Sequence, residues 1–122
     1  MSQRQERLAD QLQRDLAELV RQELRDPRIG MVTVSAVKVS RDLGYADVYV
    51  TLLQPQLQKD TEARQLSVAR LNAAAGFLRT ALGKTLSLRV VPRLRFHYDE
   101  VLANAQHLAS LIEQAVQDDA AE

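Results

Sequence analysis

The residues best suited to binding chemistry are cations concentrated in one part of the chain. Between Arg64 and Arg95 the sequence contains seven Lys or Arg residues and no Asp or Glu. Guanidinium groups donate paired hydrogen bonds to phosphate oxygens, so arginines without interleaved carboxylates suit a polyanion. An ordinary solvated surface is the alternative interpretation. The residues that we predict to contact phosphate are Arg64, Arg79, Lys84, Arg89, Arg93 and Arg95.

The net charge of the chain hides this segregation, since 16 Lys and Arg balance 16 Asp and Glu. From residue 97 to residue 122 there are six Asp or Glu and no Lys or Arg. The acidic end offsets the basic stretch in the total, so zero net charge does not exclude a nucleic-acid partner.

Other kinds of chemistry have little support in the sequence. The absence of Cys excludes disulfides, thiolate nucleophiles and Cys-based zinc sites. The two histidines, His97 and His107, lack metal-ligand spacing, and no serine lies in a GxSxG motif. Gly83-Lys84-Thr85 resembles the end of a P-loop, but Leu78 stands where that motif requires its first Gly. We therefore predict no catalytic residue, no metal, no cofactor and no small-molecule substrate.

Helices must position most of the basic stretch. Ser2 and Gln5 have capping-box spacing, and leucines at helical intervals follow until Asp26-Pro27 ends the first helix. Asp60 can cap a second helix, in which the periodicity continues past Gly76 and predicts a kink there. The apolar side of this kinked helix is predicted to hold Leu66, Ala73, Phe77 and Ala81.

Three segments have the alternation of β-strands. Residues 32–40 change parity near Ala36–Val37, which predicts a bulge, and residues 45–52 alternate regularly. Residues 86–98 form the third strand, and Pro92 predicts either an edge position or a bulge.

The predicted order is α-β-β-α-(kink)-α-β-α, with Asp99 capping the last helix. This is an α+β fold with a three-stranded sheet, helices on one face and the other face open. Tyr45 and Tyr49 are expected on the open face, where they could stack on bases or be covered by a loop or a neighbouring chain. Without a secretory segment or an 18-residue apolar run, the chain is expected to be soluble and cytoplasmic.

Several segments, in this order and spacing, resemble the ribosome-binding factor A family from about residue 4 to residue 112. They are Asp26-Pro27-Arg28, Val32-Thr33-Val34, Asp42-Leu43, Ala46-Asp47-Val48-Tyr49-Val50, Ala74-Ala75-Gly76-Phe77-Leu78-Arg79, Leu88-Arg89-Val90-Val91-Pro92-Arg93-Leu94-Arg95-Phe96, and Asp99. The resemblance implies a type-II KH-like fold, in which the kink at Ala74, Ala75 and Gly76 replaces the glycine loop of other KH domains. It also implies one RNA-binding domain over residues 1–116, and we expect residues 117–122 to be an acidic, disordered end.

The same resemblance implies a ribosome assembly factor rather than an enzyme. Its expected partners are the free 30S ribosomal subunit and 16S rRNA, whose 5′ end it would help to mature late in assembly. This implies a part in ribosome biogenesis and in growth at low temperature. We also expect the protein to be a monomer when it is off the ribosome. The alternative is a protein-interaction module that uses the open sheet face.

Overall fold

The computed structural model describes residues 2–23, 30–85 and 91–120, the last range without the side chains at 106, 107, 110 and 117–120. The elements follow the predicted order, with one additional helical turn. They are α1 (Gln3–Glu23), β1 (Val32–Val39), β2 (Tyr45–Leu52), α2 (Pro55–Gln58), α3 (Thr61–Ala73), α4 (Ala75–Thr85), β3 (Arg93–Tyr98) and α5 (Glu100–Ala120). The additional turn is α2, a four-residue helix that begins at Pro55 and lies between β2 and α3.

Helix α1 begins at the predicted capping box. The Gln5 backbone N–H donates to Ser2 Oγ at 3.2 Å, and the Ser2 backbone N–H donates to Gln5 Oε1 at 3.1 Å. Leucines and a valine at helical spacing then bury one side of α1 against the sheet. The predicted end of the helix at Asp26-Pro27 lies outside the described residues.

The three strands form a sheet in the order β1-β2-β3, with β1 and β2 antiparallel and β2 and β3 parallel. The register of β1 shifts between Val34 and Ala36, so the bulged residue is Ser35, just before the predicted position. Strand β3 lies at an edge, one of the two positions that Pro92 predicts, but it begins only after that proline, at Arg93. The inward side chains of all three strands form one apolar core with α1, α3 and α4.

Glutamine side chains of α1 cover the free edge of β1. Gln5 Nε2 donates to the Val39 carbonyl at 3.0 Å, and Gln13 Nε2 donates to the Ser35 carbonyl at 3.3 Å. Such bonds satisfy backbone groups that would otherwise be available to pair with another strand.

The free edge of β3 is covered by the kinked helix pair in the same way. Asn72 accepts from the Phe96 N–H at 2.9 Å and donates to the Phe96 carbonyl at 3.1 Å. Arg79 Nε donates to the Val91 carbonyl at 2.9 Å, just before the strand begins. Within the described residues, each edge of the sheet is therefore bonded to helices at a few positions, and the outer face is left uncovered.

The kink lies between α3 and α4, close to where the periodicity places it. Asp60 caps α3 as predicted, since its Oδ1 accepts from the N–H groups of Glu62 and Ala63. Helix α3 ends at Ala73, and Ala74 follows with φ −91° and ψ 2° before α4 begins. Gly76 belongs to the first turn of α4, and apart from its chain neighbours and the adjacent helix backbone no heavy atom lies within 4 Å of the position that its Cβ would occupy.

The predicted apolar side of this helix pair is wrong for Ala73 and Phe77, whereas Leu66 is partly buried against the core. The buried residues of α3 and α4 are Ala63, Ser67, Leu71, Leu78 and Leu82. Phe77 is instead 57% exposed, and Ala73 is also exposed. The cause is that α3 packs through small side chains, including Ser67, whose hydroxyl is satisfied by the Arg64 carbonyl at 2.7 Å. A hydrophobicity pattern does not identify such a face.

Helix α5 begins at Asp99, whose Oδ1 accepts from the Leu102 N–H at 2.9 Å, as predicted for the cap. The other oxygen, Oδ2, accepts from the bulged Ser35 hydroxyl at 2.6 Å, and these bonds lower the pKa of the Asp99 carboxyl. Beyond this joint α5 is outside the core, and its large exposed apolar side chains are Val101, Leu108, Leu111, Ile112 and Val116. The domain boundary at residue 116 stays a prediction. No helix in the described part of the chain is long and apolar enough to cross a membrane.

Candidate nucleic-acid interface

The uncovered face of the sheet displays polar and aromatic side chains, and we call it the open sheet face. The alternation of the strands positions it, because outward residues lie between inward residues of the core, except where the bulge interrupts β1. Its members come from all three strands and are Lys38, Tyr45, Asp47, Tyr49, Arg93, Arg95 and His97.

Asp47 lies at the centre of the open sheet face. The parallel register places it beside Arg95, whose Nη2 donates to Asp47 Oδ2 at 3.1 Å and whose Nε lies 3.0 Å from Asp47 Oδ1. His97 Nε2 lies 2.8 Å from Asp47 Oδ1. Partial burial acts to raise the pKa of the Asp47 carboxyl, but the hydrogen bonds from His97 and Arg95 outweigh it, so this pKa lies below its usual value.

Planar side chains flank this charged centre on both sides. The Arg95 guanidinium carbon lies 4.5 Å from the centroid of the Tyr45 ring. The Tyr49 and His97 rings have centroids 5.3 Å apart, and the Lys38 ammonium lies 5.6 Å from the Tyr49 centroid. Each tyrosine is therefore paired with a cationic side chain of a neighbouring strand.

The six predicted phosphate contacts do not form one patch. Arg93 and Arg95 lie on the open sheet face, whereas Arg64, Arg79 and Lys84 belong to the helices that cover the other face. Arg89 lies outside the described residues. The basic stretch is continuous in sequence, but it passes from one side of the sheet to the other.

Among these cations, Arg64 and Arg79 are engaged in the fold. Arg64 Nε donates to the Gln58 carbonyl at 2.6 Å, and its Nη1 lies 3.2 Å from Glu100 Oε2. The Arg64 guanidinium also lies over the Tyr98 ring, at 4.8 Å from the centroid. Arg79 bonds to the backbone before β3, as described above, so its Nε is not available to phosphate.

Arg93 and Lys84, in contrast, are not bonded to other parts of the described fold. Both side chains are exposed, and neither makes an ion pair or side-chain hydrogen bond with the described residues. Arg93 pairs in register with Tyr45 of β2, which places it on the open sheet face beside that ring. The kink residues Ala74, Ala75 and Gly76 lie in the helical layer, where Ala74 and Ala75 are partly buried against the core.

Sequence reasoning missed the role of Asp47. The signal was the outward position of Asp47 in the alternation of β2, but pairing it with Arg95 requires the parallel register between β2 and β3. A stretch with no acidic residue of its own thus receives a carboxylate from another strand.

A cleft of about 790 Å³ lies at the N-terminus of α1 and is lined by Ser2, Arg4, Gln5, Arg41, Asp42 and Leu43. Its carboxylate belongs to the β1–β2 turn, where bonds from the Ser40 hydroxyl and the Gly44 N–H lower the pKa of Asp42. Among the described residues there is no group of three or more His, Cys, Asp or Glu able to hold a metal ion.

A sequence model of ribosome-binding factor A matches residues 4–112, which include both sheet faces and the helical kink. The chain belongs to the ribosome-binding factor A family. A family member from Hahella chejuensis is 54% identical over 113 residues, covering 92% of this chain and 84% of that protein. One from Psychrobacter arcticus is 55% identical over 119 residues, covering 95% and 89%.

Solved structures of the family share the fold. The crystal structure of ribosome-binding factor A from Thermus thermophilus has a TM-score of 0.63 at 34% identity, covering 77% of this chain and 93% of that chain. A solution NMR structure from Thermotoga maritima has a TM-score of 0.64 at 40% identity, covering 80% and 88%. A homology model of the Thermus thermophilus protein, fitted into a cryo-EM map of its complex with 30S, has a TM-score of 0.60 at 35% identity, covering 73% and 88%. The chain is therefore an α+β protein with the KH-like fold of this family.

Proposed function

We propose that this protein is a ribosome assembly factor that binds the free 30S subunit and assists late maturation of the 5′ end of 16S rRNA. The observation that carries the proposal is the family match over residues 4–112, together with the related Thermus thermophilus protein fitted on 30S. The exposed cations of the open sheet face supply a surface suited to RNA phosphate.

The protein acts by binding and not by catalysis. A binding protein shifts a conformational equilibrium only through its different affinities for the two states. A tenfold preference for the immature subunit corresponds to about 1.4 kcal/mol, which a few phosphate contacts can supply. The protein therefore stabilises one rRNA conformation while other factors process the 5′ end.

Phosphate contact is assigned mainly to Arg93 and Lys84, whose side chains are not engaged in the fold, with Arg95 contributing its outer edge. Arg79 contributes charge near the kink and Arg64 contributes it at the beginning of α3, while their guanidinium groups hold the helices in place. Because the exposed surface of α4 begins at the kink, Ala74, Ala75 and Gly76 form a second place at which rRNA can approach the backbone closely.

The protein is proposed to act in the cytoplasm, as a monomer when it is off the ribosome. Rigid RNA helices rearrange slowly in the cold, so cells without the protein should accumulate unprocessed small-subunit rRNA most strongly at low temperature.

Fractionation of a cell extract on a sucrose gradient tests the proposal. The protein should sediment with free 30S subunits and be absent from joined ribosomes, and raising the salt concentration should release it. Sedimentation only in the ribosome-free pool would refute the proposal. Binding that does not weaken with salt would instead favour an apolar protein partner on the open sheet face.

A further inference from the structure

We propose that Tyr45 and Arg95 form a stacking site for one unpaired RNA base, and that Arg93 contacts the phosphate beside it. The identity of the RNA rests on the proposed function, but the stacking site itself can be tested without the ribosome. It lies on the open sheet face, away from the helical kink.

The first observation is that two planar groups are held together and left uncovered. The Arg95 guanidinium donates from Nη2 to Asp47 and forms an ion pair with it through Nε, and the same guanidinium lies over the Tyr45 ring. The Tyr45 residue is 39% exposed and the Arg95 side chain is 52% exposed. Unpaired bases stack on aromatic rings and on guanidinium planes, so both groups present a suitable surface. Because Asp47 fixes the guanidinium before binding, little side-chain freedom remains to be lost.

The second observation is the charge around the pair. The open sheet face carries three permanent cations, Lys38, Arg93 and Arg95, against the carboxylate of Asp47 and that of Asp99, whose charge interacts with Lys38 beside the face. Arg93 is the cation without a described partner, and it lies beside Tyr45 in the β2–β3 register. The face is therefore complementary to a phosphate-bearing ligand and repels a basic one.

The third argument concerns the form of the RNA. In an A-form helix the bases are stacked on one another, and side chains cannot read the deep, narrow major groove. A sheet surface can accept a base only when that base is splayed out of its helix. The occupant is therefore a single-stranded segment, such as a loop or an unpaired end, and not a duplex.

The experiment is a binding titration with a fluorescently labelled single-stranded RNA hexamer, alone and annealed to its complement. Native protein should prefer the single strand. Tyr45→Leu, which removes the ring but remains apolar, should weaken binding of the single strand by roughly 5- to 150-fold. Tyr45→Phe keeps the ring and should bind within about twofold of native, a difference too small to indicate a lost stacking contact. Arg14→Ala is the control, because it removes one cation from the exposed side of α1, outside the open sheet face. It should leave the preference for single strands unchanged.

Native affinity of the Tyr45→Leu variant for the hexamer would overturn the proposal, as would equal binding of single strand and duplex. Co-sedimentation with purified 30S subunits separates this inference from the proposed function. If native protein binds subunits but not the hexamer, the stacking site is wrong and the assembly function stands. If Tyr45→Leu weakens subunit binding while hexamer binding is unchanged, the open sheet face contacts a protein instead.

Discussion

The two faces of the three-stranded sheet are built from alternate residues of the same strands, yet they have different kinds of contacts. The covered face bears apolar side chains that pack against α1, α3 and α4. The open sheet face bears charged and aromatic side chains whose described contacts run across the strands, as between Arg95 and Asp47. Of two adjacent residues, Phe96 therefore packs in the core and Arg95 contributes to the open sheet face. Substitutions on one face should change stability, and substitutions on the other should change binding.

The largest expected effect is on the covered face. Phe96 is 2% exposed, so Phe96→Ala should lower the free energy of unfolding by about 3–5 kcal/mol, measured by urea denaturation. Its neighbour Arg95→Ala is the matched control and should cost about 1 kcal/mol or less, because an exposed ion pair contributes little. If Phe96→Ala does not fold, Phe96→Leu should still lower the free energy of unfolding by more than Arg95→Ala does. Equal losses for the two positions would remove the distinction between the faces.

The next effect concerns binding at the open sheet face. Arg93→Ala should weaken association with 30S subunits and reduce the slope of log affinity against log salt by about 0.7 unit, since one phosphate contact is lost. Its free energy of unfolding should stay within about 0.5 kcal/mol of native. Arg14→Ala should leave the salt slope unchanged. If both variants reduce the slope equally, RNA contacts the chain through general charge and not through this face.

Gly76 lies in the helical layer, and a substitution there tests whether that layer also takes part in binding 30S subunits. Gly76→Ala should raise the free energy of unfolding by about 1 kcal/mol, because Ala favours helix and no atom lies near the new Cβ. If the kink is a contact, the variant should also bind 30S subunits more weakly. Unchanged binding with raised stability would restrict the binding surface to the sheet.

The smallest expected effect is on how the free energy of unfolding depends on pH, through the Asp47 carboxyl of the open sheet face. Because the folded pKa of Asp47 is lowered, its carboxylate stabilises the fold above the unfolded value of about 3.9, and this contribution is lost as the pH falls through the folded pKa. Asp47→Asn should therefore make unfolding less dependent on pH below about 4. An NMR titration of the native Asp47 carboxyl gives the direct check, and a midpoint at or above the usual value would show that the Arg95 and His97 bonds do not form.

Much of the fold could be predicted because its signals are local. The capping box of Ser2 and Gln5, the Asp60 cap and the alternation of β2 each depend on residues a few positions apart. The core side of α3 could not be predicted, because it uses Ala63 and Ser67 in place of large apolar residues. The candidate site was harder to predict from the sequence, because its signals are not local. Whether Arg93 and Arg95 share a surface with Arg79 depends on which side of the sheet each element packs, and the pairing with Asp47 depends on strand register.

The affinity for immature and mature small subunits, measured in one buffer at one salt concentration, tests the central claim most directly. Our account predicts that the native protein binds immature subunits at least about tenfold more tightly, equivalent to about 1.4 kcal/mol of differential binding. It also predicts that Tyr45→Leu and Arg93→Ala weaken this binding while their stability is preserved. Equal affinities of the native protein for the two subunits would contradict the account, because such a protein would shift no equilibrium however tightly it bound.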